Sequence, residues 1–282
     1  MTEPDHASDH ASEHDELERL RAEVRDLRAR ALTHPLIAHA QGIVQERYAL
    51  PDADSAFALI RRASQQRNVR MHTLAEALVT LPRPDERAGL WFPRRTRTTE
   101  PALTFPTARA TGTGTRGAVL RAVLSQTLSV LQTPMGNVQI ADRARGGLRL
   151  EQHTGLSEEF VDFFAHVGAV GTSCGQAAVN VAQITVRDVG TDPLFTDRAR
   201  EMVLAEGSVS CHSVPLTTAG GLCVGMVSGH LDHRIEPLTA AETKALDVVG
   251  AEAGRWLAWH QRTVVVDALE HLHALGRRNG RR

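Results

Sequence analysis

Two short motifs contain the residue types of known chemical sites. Residues 112–117, GTGTRG, match the GxGxxG pattern of dinucleotide-binding loops, which requires a strand directly before the first glycine. The preceding TFPTARAT contains a proline and little apolar alternation, so we interpret this motif as part of a linker. Residues 171–175, GTSCG, match the GxSxG pattern around a nucleophilic serine, but the segment before Ser173 has a helical pattern. We therefore predict no catalytic residue and no enzyme activity.

Metal-binding residue types also occur, but without the spacing of a metal site. Four of them lie on or beside predicted strands: Cys211, His212, His230 and His233. Adjacent residues on a strand point to opposite faces, so Cys211 and His212 do not easily share one ion. Three further histidines recur every four residues in a polar, low-complexity stretch: His6, His10 and His14. Because no set matches structural zinc spacing, we predict no metal site and no cofactor.

Composition and charge narrow the class of protein. The 282 residues are 42% hydrophobic and 23% charged, which is typical of a globular protein with about two domains. A net charge of −1 argues against a protein that coats nucleic acid by bulk charge. The chain contains no long apolar run and no signal-peptide pattern, and its three cysteines form no CxxC motif. We expect a cytoplasmic protein that contacts no membrane.

The elements that would position a functional site begin with helices. Residues 1–14 are polar and repetitive, and we expect a disordered tail there. Residues 15–33 predict a coiled-coil helix, because apolar residues recur at spacings of three and four: Leu17, Leu20, Val24, Leu27 and Ala31. We interpret this seam as a surface that pairs two chains. Packing of the helix on its own domain is the alternative.

The rest of the chain predicts two folded regions of different class. Residues 34–81 contain three apolar-striped helices separated by turn residues, and predict a three-helix bundle. Residues 82–115 lack periodicity and predict a linker. From residue 116 the pattern changes to α/β, and TAAE at 239–242 is a capping box that opens a long final helix. We predict an antiparallel sheet flanked by helices at 116–262, then a helical extension and basic tail at 263–282.

The helical bundle resembles the ANTAR domain of bacterial transcription antitermination regulators. Its first helix contains Ile37 and AQGI at 40–43, its second reads DxAFxxIRxxS at 54–64, and NVR follows at 68–70. The family usually has lysine where this chain has Gln41. The resemblance implies a homodimer that recognises tandem RNA hairpins in mRNA leaders and stabilises an antiterminator over a terminator.

Side chains around the helix ends of the bundle supply guanidinium, amide and aromatic groups that suit RNA loops. Together with the resemblance, they indicate ten RNA-binding residues: Gln41, Gly42, Arg47, Tyr48, Arg61, Arg62, Gln65, Arg67, Asn68 and Arg70. Gly42 would let the RNA backbone or a neighbouring helix approach closely. The alternative is a solvated helical face with ordinary ion pairing.

The α/β region resembles a GAF domain. The features are FVDFFAHV, GTSCGQAA, ITVRDVGTDPLF and SCHSVPLTTAGGLCVGMVSGHL, within about residues 116–260. GAF domains bind cyclic nucleotides, tetrapyrroles, metals or small metabolites, or only dimerise. The resemblance therefore implies a sensor domain for a small-molecule effector without naming it. Seven residues would bound its pocket: Cys174, Gln176, Asp188, Pro193, Phe195, Ser213 and His230.

These observations leave three hypotheses about function. We predict an RNA-binding antitermination regulator with a GAF sensor, in which the final helix and the arginine-rich linker transmit the signal. The alternative is a dimeric GAF-based signalling adaptor without RNA binding. The third is a hydrolase or metal enzyme that uses Ser173, Cys174 or His230.

Overall fold

The protein divides into two compact units. The computed structural model describes three stretches of the chain: residues 6–85, 89–111 and 114–279. We call Met1–Pro93 together with Ala268–Arg282 the helical unit, and Arg94–Asp267 the α/β unit. The first two residues of the GTGTRG motif lie outside the described stretches.

The helical unit begins with three helices: α1 (His6–Arg47), α2 (Ala53–Arg67) and α3 (Met71–Thr80). α1 joins the predicted coiled-coil segment and the first helix of the bundle in one piece, and it passes through Pro35. Residues 6–14, which we expected to be a disordered tail, form its first turns instead.

Local signals determine the turns between these helices. The side chain of Asp52 caps α2 by accepting a hydrogen bond from the backbone N–H of Ser55 at 2.7 Å. Asn68 ends α2 in the left-handed conformation, with φ of 49°. The hydroxyl of Ser64 then donates to the carbonyl of Val69 at 2.6 Å, which holds the turn into α3.

A fourth helix of this unit comes from the far end of the sequence. It is α10 (Val266–Asn279), and its residues from Ala268 onward belong to the helical unit. Buried apolar side chains occur on all four helices: Ala40, Val44, Ala56, Ile60, Ala63, Leu74, Leu78, Leu269 and Leu272. The predicted extension at 263–282 is therefore part of a folded core as far as the described residues reach. Its apolar residues three and four apart form one helical face, and this face packs within the unit.

The described part of the α/β unit contains six strands and several helices. Its strands are β1 (Met135–Ala141), β2 (Leu148–Thr154), β3 (His166–Val167), β4 (Ile184–Val186), β5 (Ser210–Thr217) and β6 (Cys223–Leu231). Its helices are α4 (Pro106–Thr111), α5 (Arg116–Leu131), α6 (Glu158–Phe163), α7 (Ser173–Asn180), α8 (Asp197–Ala205) and α9 (Ala240–His260). A π-helical turn, Gln261–Val265, continues α9 into α10.

The strands form one antiparallel sheet in the order β3-β2-β1-β6-β5-β4. One cluster of buried side chains joins the sheet to α4, α5 and α9, and a second joins it to α6, α7 and α8. The helices therefore pack on the sheet through two separate hydrophobic cores. The predicted fold class, a helical region followed by an antiparallel sheet flanked by helices, is confirmed.

The α/β unit confirms one local prediction and contains other features that the sequence pattern did not show. The capping box at the start of α9 is confirmed, with Thr239 and Glu242 exchanging hydrogen bonds. The short elements β3, α7 and α8 carry too little periodicity to be predicted. The second half of the predicted linker is bound to the rest of the α/β unit. The backbone N–H and the hydroxyl of Thr104 donate hydrogen bonds to the buried carboxylate of Glu252, at 2.6 and 2.7 Å. These are contacts between residues distant in sequence, which periodicity does not reveal.

Candidate RNA interface and ligand cavity

The second helix of the helical unit presents most of the predicted RNA-binding residues to solvent. On α2 and the turn after it, six of them are exposed: Arg61, Arg62, Gln65, Arg67, Asn68 and Arg70. Arg61, Gln65 and Asn68 recur at spacings of four and three, so they share one helical face. The guanidinium of Arg61 lies 5.9 Å from the ring centre of Phe57, a cation–π distance that orients the side chain along the helix.

Two of the predicted residues on α1, Gln41 and Gly42, lie in different environments. Gln41 is half-buried, and its amide donates to the carbonyl of Ala53 at 3.2 Å, so it bridges the two helices. Gly42 is exposed, and a Cβ added to it would have no neighbour within 4 Å. Gly42 therefore leaves open space at the surface of α1, where another molecule can approach the backbone.

Tyr48 lies in the core of the helical unit, unlike the exposed predicted residues of α2, and its assignment to RNA contact stays a prediction. Its side chain is 5% exposed, and its hydroxyl is hydrogen-bonded to Nδ1 of His273 at 2.9 Å. Burial raises the pKa of Tyr48 to about 12, despite the lowering influence of Arg47 and Arg277. The sequence alone did not reveal this burial because the covering residues come from α10.

α10 also adds basic groups beside α2, which no local sequence pattern assigns to this surface. Nε2 of His271 lies 2.6 Å from Oε1 of Gln66. Partial burial lowers the pKa of His271, and the charges of Arg67, Arg62 and Arg278 lower it further. A cluster of cationic groups therefore spans α2 and α10. The only signal in the sequence was the arginine-rich end of the chain.

A second candidate site lies inside the α/β unit, between the sheet and α6, α7 and α8. It is a cavity of about 20 Å³, roughly the space of one water molecule. Its lining includes three of the predicted pocket residues, Cys174, Phe195 and His230. The other lining residues are Asn137, Gln139, Phe160, Phe164, Thr172, Ser173, Val203 and Ser228.

The register of the sheet explains the polar wall of this cavity. Asn137 on β1 is opposite Ser228 on β6, which in turn is opposite Ser213 on β5. Directly opposed residues point to the same face, so three polar side chains form a row across three strands. The hydroxyls of Ser173, Ser213 and Ser228 form a chain of hydrogen bonds of 3.1 and 2.8 Å.

Two buried amides give the cavity an acceptor character. Oδ1 of Asn137 and Oε1 of Gln139 have no hydrogen-bond partner within the described residues, although both side chains are almost fully buried. A buried polar atom without a partner is costly, so these oxygens favour a molecule that donates hydrogen bonds. Neither residue was predicted, because strand patterns alone do not show which polar residues face the core.

The remaining predicted pocket residues do not line the cavity. Gln176 is on the first turns of α7 and donates to Asn180 at 3.0 Å, near the surface. Asp188 accepts hydrogen bonds from Arg234 and from the backbone of Gly190. Pro193 is exposed, and Ser213 lies behind Ser173 rather than on the cavity surface. Gln176 and Asp188 have hydrogen-bond partners outside the cavity lining, whereas Ser213 is buried within the chain of serine hydroxyls. The assignment of these residues to an effector pocket stays a prediction.

The geometry gives the hydrolase hypothesis no support. The hydroxyl of Ser173 contacts Sγ of Cys211 at 3.3 Å and Ser213, whereas Nδ1 of His230 bonds to Ser208 at 3.2 Å. Burial raises the pKa of the Cys174 thiol, raises that of Cys211 to about 12, and lowers that of His230 to about 4. A nucleophile requires a base in hydrogen-bond reach or a lowered pKa, and these groups have neither.

Two further observations concern the described part of the chain only. It brings together no group of three or more histidine, cysteine, aspartate or glutamate side chains suited to hold a metal ion. None of its helices is long and apolar enough to cross a membrane.

Comparison with known proteins identifies one segment of the helical unit. Residues 25–79 match the family model of the ANTAR domain, so the predicted ANTAR domain is confirmed. No curated protein matches the chain.

Solved structures are similar to about half of the chain. The GAF domain from Acinetobacter phosphoenolpyruvate-protein phosphotransferase is 13% identical, and the match covers 55% of this chain and 92% of that one with a TM-score of 0.45. The GAF domain/HD domain protein from Geobacter sulfurreducens is 18% identical over 53% and 97%, with a TM-score of 0.44. Free methionine-R-sulfoxide reductase from Neisseria meningitidis is 19% identical over 57% and 98%, with a TM-score of 0.36.

Proposed function

We propose that this protein is a cytoplasmic, RNA-binding transcription antitermination regulator, in which the ANTAR domain recognises paired RNA hairpins and the α/β unit is a GAF-type sensor. The observation that supports it most is the exposed row of cationic and amide side chains on α2, within residues matched to the ANTAR domain. Guanidinium groups stack on unpaired bases and bind phosphates in a bidentate way, whereas amides read base edges.

A gel shift with purified full-length protein tests this proposal. The probe is a tandem two-hairpin RNA, and the competitors are the same RNA with scrambled loops and a duplex DNA, all at one salt concentration. Binding that depends on the loop sequence is the expected result. Equal affinity for all three nucleic acids, or no binding with and without candidate effectors, would favour the adaptor hypothesis instead.

A pair of arginine variants locates the RNA surface. Arg61→Ala with Arg62→Ala should weaken RNA binding and reduce the slope of affinity against salt concentration, because fewer phosphate contacts release fewer counterions. Both residues are exposed, so the helical unit should remain folded. The matched control is Arg187→Ala with Arg255→Ala, two exposed arginines of the α/β unit. Equal effects of the two pairs on RNA binding would contradict the assignment.

Replacement of Gly42 by alanine should stabilise the fold and weaken RNA binding. Gly42→Ala has space for its methyl group and removes a flexible residue from α1, so it should stabilise the fold by about 0.5–1 kcal/mol. If RNA approaches the backbone here, the same methyl group should weaken RNA binding. A more stable variant with unchanged RNA affinity would remove Gly42 from the interface.

We propose a homodimer on the basis of an exposed apolar stripe on α1. Leu20, Val24 and Leu27 are 46%, 43% and 56% exposed, and their spacing places them on one helical face. Leu27→Glu should therefore shift the protein toward monomer in sedimentation velocity, whereas Ala22→Glu on the opposite face should not. A Leu27→Glu variant that sediments as the wild type would refute this pairing surface.

For the α/β unit, we propose a small effector with hydrogen-bond donors that reaches Asn137 and Gln139. Opening of the surrounding helices would then accompany binding, and the effector would shift the population of RNA-competent protein by its difference in affinity between the two states. Thermal unfolding with free amino acids, purines and nucleosides tests this, because a ligand of the native state raises the midpoint. The shift should be lost in Gln139→Met. An equal shift in wild type and variant would place the ligand elsewhere.

A further inference from the structure

The helical unit contains a cavity beside the end of α1 that is larger than the one in the α/β unit. Its volume is about 240 Å³, near the lower end of the roughly 300–1,000 Å³ that small-ligand pockets occupy. The residues that line it come from α1, from the segment after α3 and from α10: Glu46, Arg47, Tyr48, Arg83, Pro84, His273 and Arg277. Three of these seven residues are arginines and one is an acid, so the cavity is suited to an anion.

The first of the arginines is held in place by an aromatic ring. The guanidinium of Arg47 lies 4.6 Å from the ring centre of Trp91. The indole N–H of Trp91 donates to the carbonyl of Pro82 at 2.9 Å, and the backbone N–H donates to Glu270 at 2.9 Å. Nη1 of Arg47 is buried and has no hydrogen-bond partner within the described residues. The donor is therefore oriented before any ligand arrives.

α10 brings the second arginine to the same place. Its Gly276 lies against the ring of Tyr48, so closely that a Cβ would be 2.6 Å from Cγ of the ring. One turn earlier, His273 bonds to the Tyr48 hydroxyl at 2.9 Å. These two contacts fix the position of α10 against α1. Arg277, the next residue after Gly276, is thereby placed on the cavity wall with Arg47.

Arginine side chains suit one class of anion best. A guanidinium presents five N–H donors in a planar fork, so it can bind a protein group and a phosphate at the same time. Two or three forks around one cavity favour the several oxygens of a phosphate over the two of a carboxylate. The ring edges of Tyr48 and His273, with Pro84, add apolar surface that a sugar or base can contact.

We propose that this cavity binds the phosphate group of a nucleotide, and that α10 is therefore an integral part of the nucleic-acid-binding unit. Two sources supply that chemistry, a nucleotide of a bound RNA and a free mononucleotide. The RNA source rests on the function proposed above, whereas the free nucleotide does not.

The test uses full-length protein and two probes, the labelled tandem two-hairpin RNA and adenosine 5′-monophosphate. The variants are Arg277→Ala and Arg83→Ala, with Arg255→Ala on α9 as the matched control and Arg277→Lys to retain charge without the fork. Each cavity variant should weaken binding of the phosphate-bearing probe by about tenfold or more, since hydrogen bonds to charged groups are strong. Circular dichroism and thermal unfolding check that each variant is folded.

The outcomes separate the two sources. Loss of RNA affinity in the cavity variants supports a phosphate of the RNA, and a selective loss of mononucleotide binding supports a free nucleotide. Wild-type protein that binds the mononucleotide but no RNA would refute the proposed function and leave the site intact. If folded Arg277→Ala and Arg83→Ala bind both probes as the Arg255→Ala control does, or if wild type binds neither probe, the site is refuted.

Discussion

Acid should destabilise the α/β unit well before its carboxylates titrate. Three histidines of this unit are buried: His212, His230 and His260. Burial lowers the pKa of each of them to about 4, and for His260 the charge of Arg116 contributes as well. In the unfolded chain the same groups titrate near 6.5. The unfolded state therefore binds more protons between pH 6.5 and 4, and stability falls as the pH is lowered through that window.

The hydrogen bonds of His212 show why the neutral form is favoured. Nε2 lies 2.8 Å from Oε1 of Gln183, and Nδ1 lies 2.7 Å from the hydroxyl of Thr185. In a neutral ring, Nε2–H donates to the amide oxygen while Nδ1 accepts from the hydroxyl. Each such histidine should contribute about 2 kcal/mol of lost stability between pH 7 and pH 5. Three together amount to about 6 kcal/mol, a large share of the stability of an ordinary domain.

Urea unfolding of full-length protein at pH 8, 7, 6 and 5 measures this effect. A Trp91→Phe background leaves Trp256 and Trp259 as the fluorescent reporters, and both belong to the α/β unit. His212→Gln should flatten the dependence of the unfolding free energy on pH by about a third, while His153→Gln, at an exposed histidine, should not. A free energy that is constant from pH 7 to pH 5, or an unchanged slope in His212→Gln, would refute the reasoning.

Two further substitutions test packing and a buried carboxylate. Gly276→Ala should destabilise the helical unit by about 1–3 kcal/mol, because overpacking against Tyr48 outweighs the better helix propensity of alanine. Urea unfolding measures the change, with Gly42→Ala as the unhindered control. Equal effects of the two substitutions on the free energy of unfolding would contradict the close contact. Glu252→Gln should lower the free energy of unfolding by about 1–3 kcal/mol, because the new amide N–H faces the N–H and hydroxyl donors of Thr104. It should also speed tryptic cleavage near Thr104. Unchanged proteolysis would show that the Glu252 carboxylate does not hold the segment around Thr104.

Local sequence signals were sufficient for much of the secondary structure. Asp52 before α2 and the Thr239 box before α9 are caps whose partners lie within three residues, so a short segment contains all the information. Helical periodicity predicted the bundle, and its motifs identified the ANTAR domain. The same signals failed for α1, where a proline and a polar start indicated boundaries that the continuous helix does not have.

The cavities depended on information that no single segment contains. Asn137 and Gln139 face a cavity because β1 pairs with β6 in one register, and a shift of one residue would turn both to the other face. Gln176 and Asp188 carry the right chemistry for a pocket, but they bond to Asn180 and Arg234, which do not line the cavity. Residue type therefore indicated candidates, and only strand register and hydrogen bonding separated the residues that line the cavity from those that do not.

The sequence by itself determined most of the longer helices and strands, that residues 25–79 form an ANTAR domain, and that α2 carries an exposed cationic face. Those properties follow from side chains a few positions apart. Only the tertiary structure decided that the last described helix belongs to the helical unit, where it buries Tyr48 and completes an arginine-lined cavity with Arg277. More than two hundred residues separate Tyr48 from His273, and such a contact arises from the burial of complementary apolar faces, not from any local pattern.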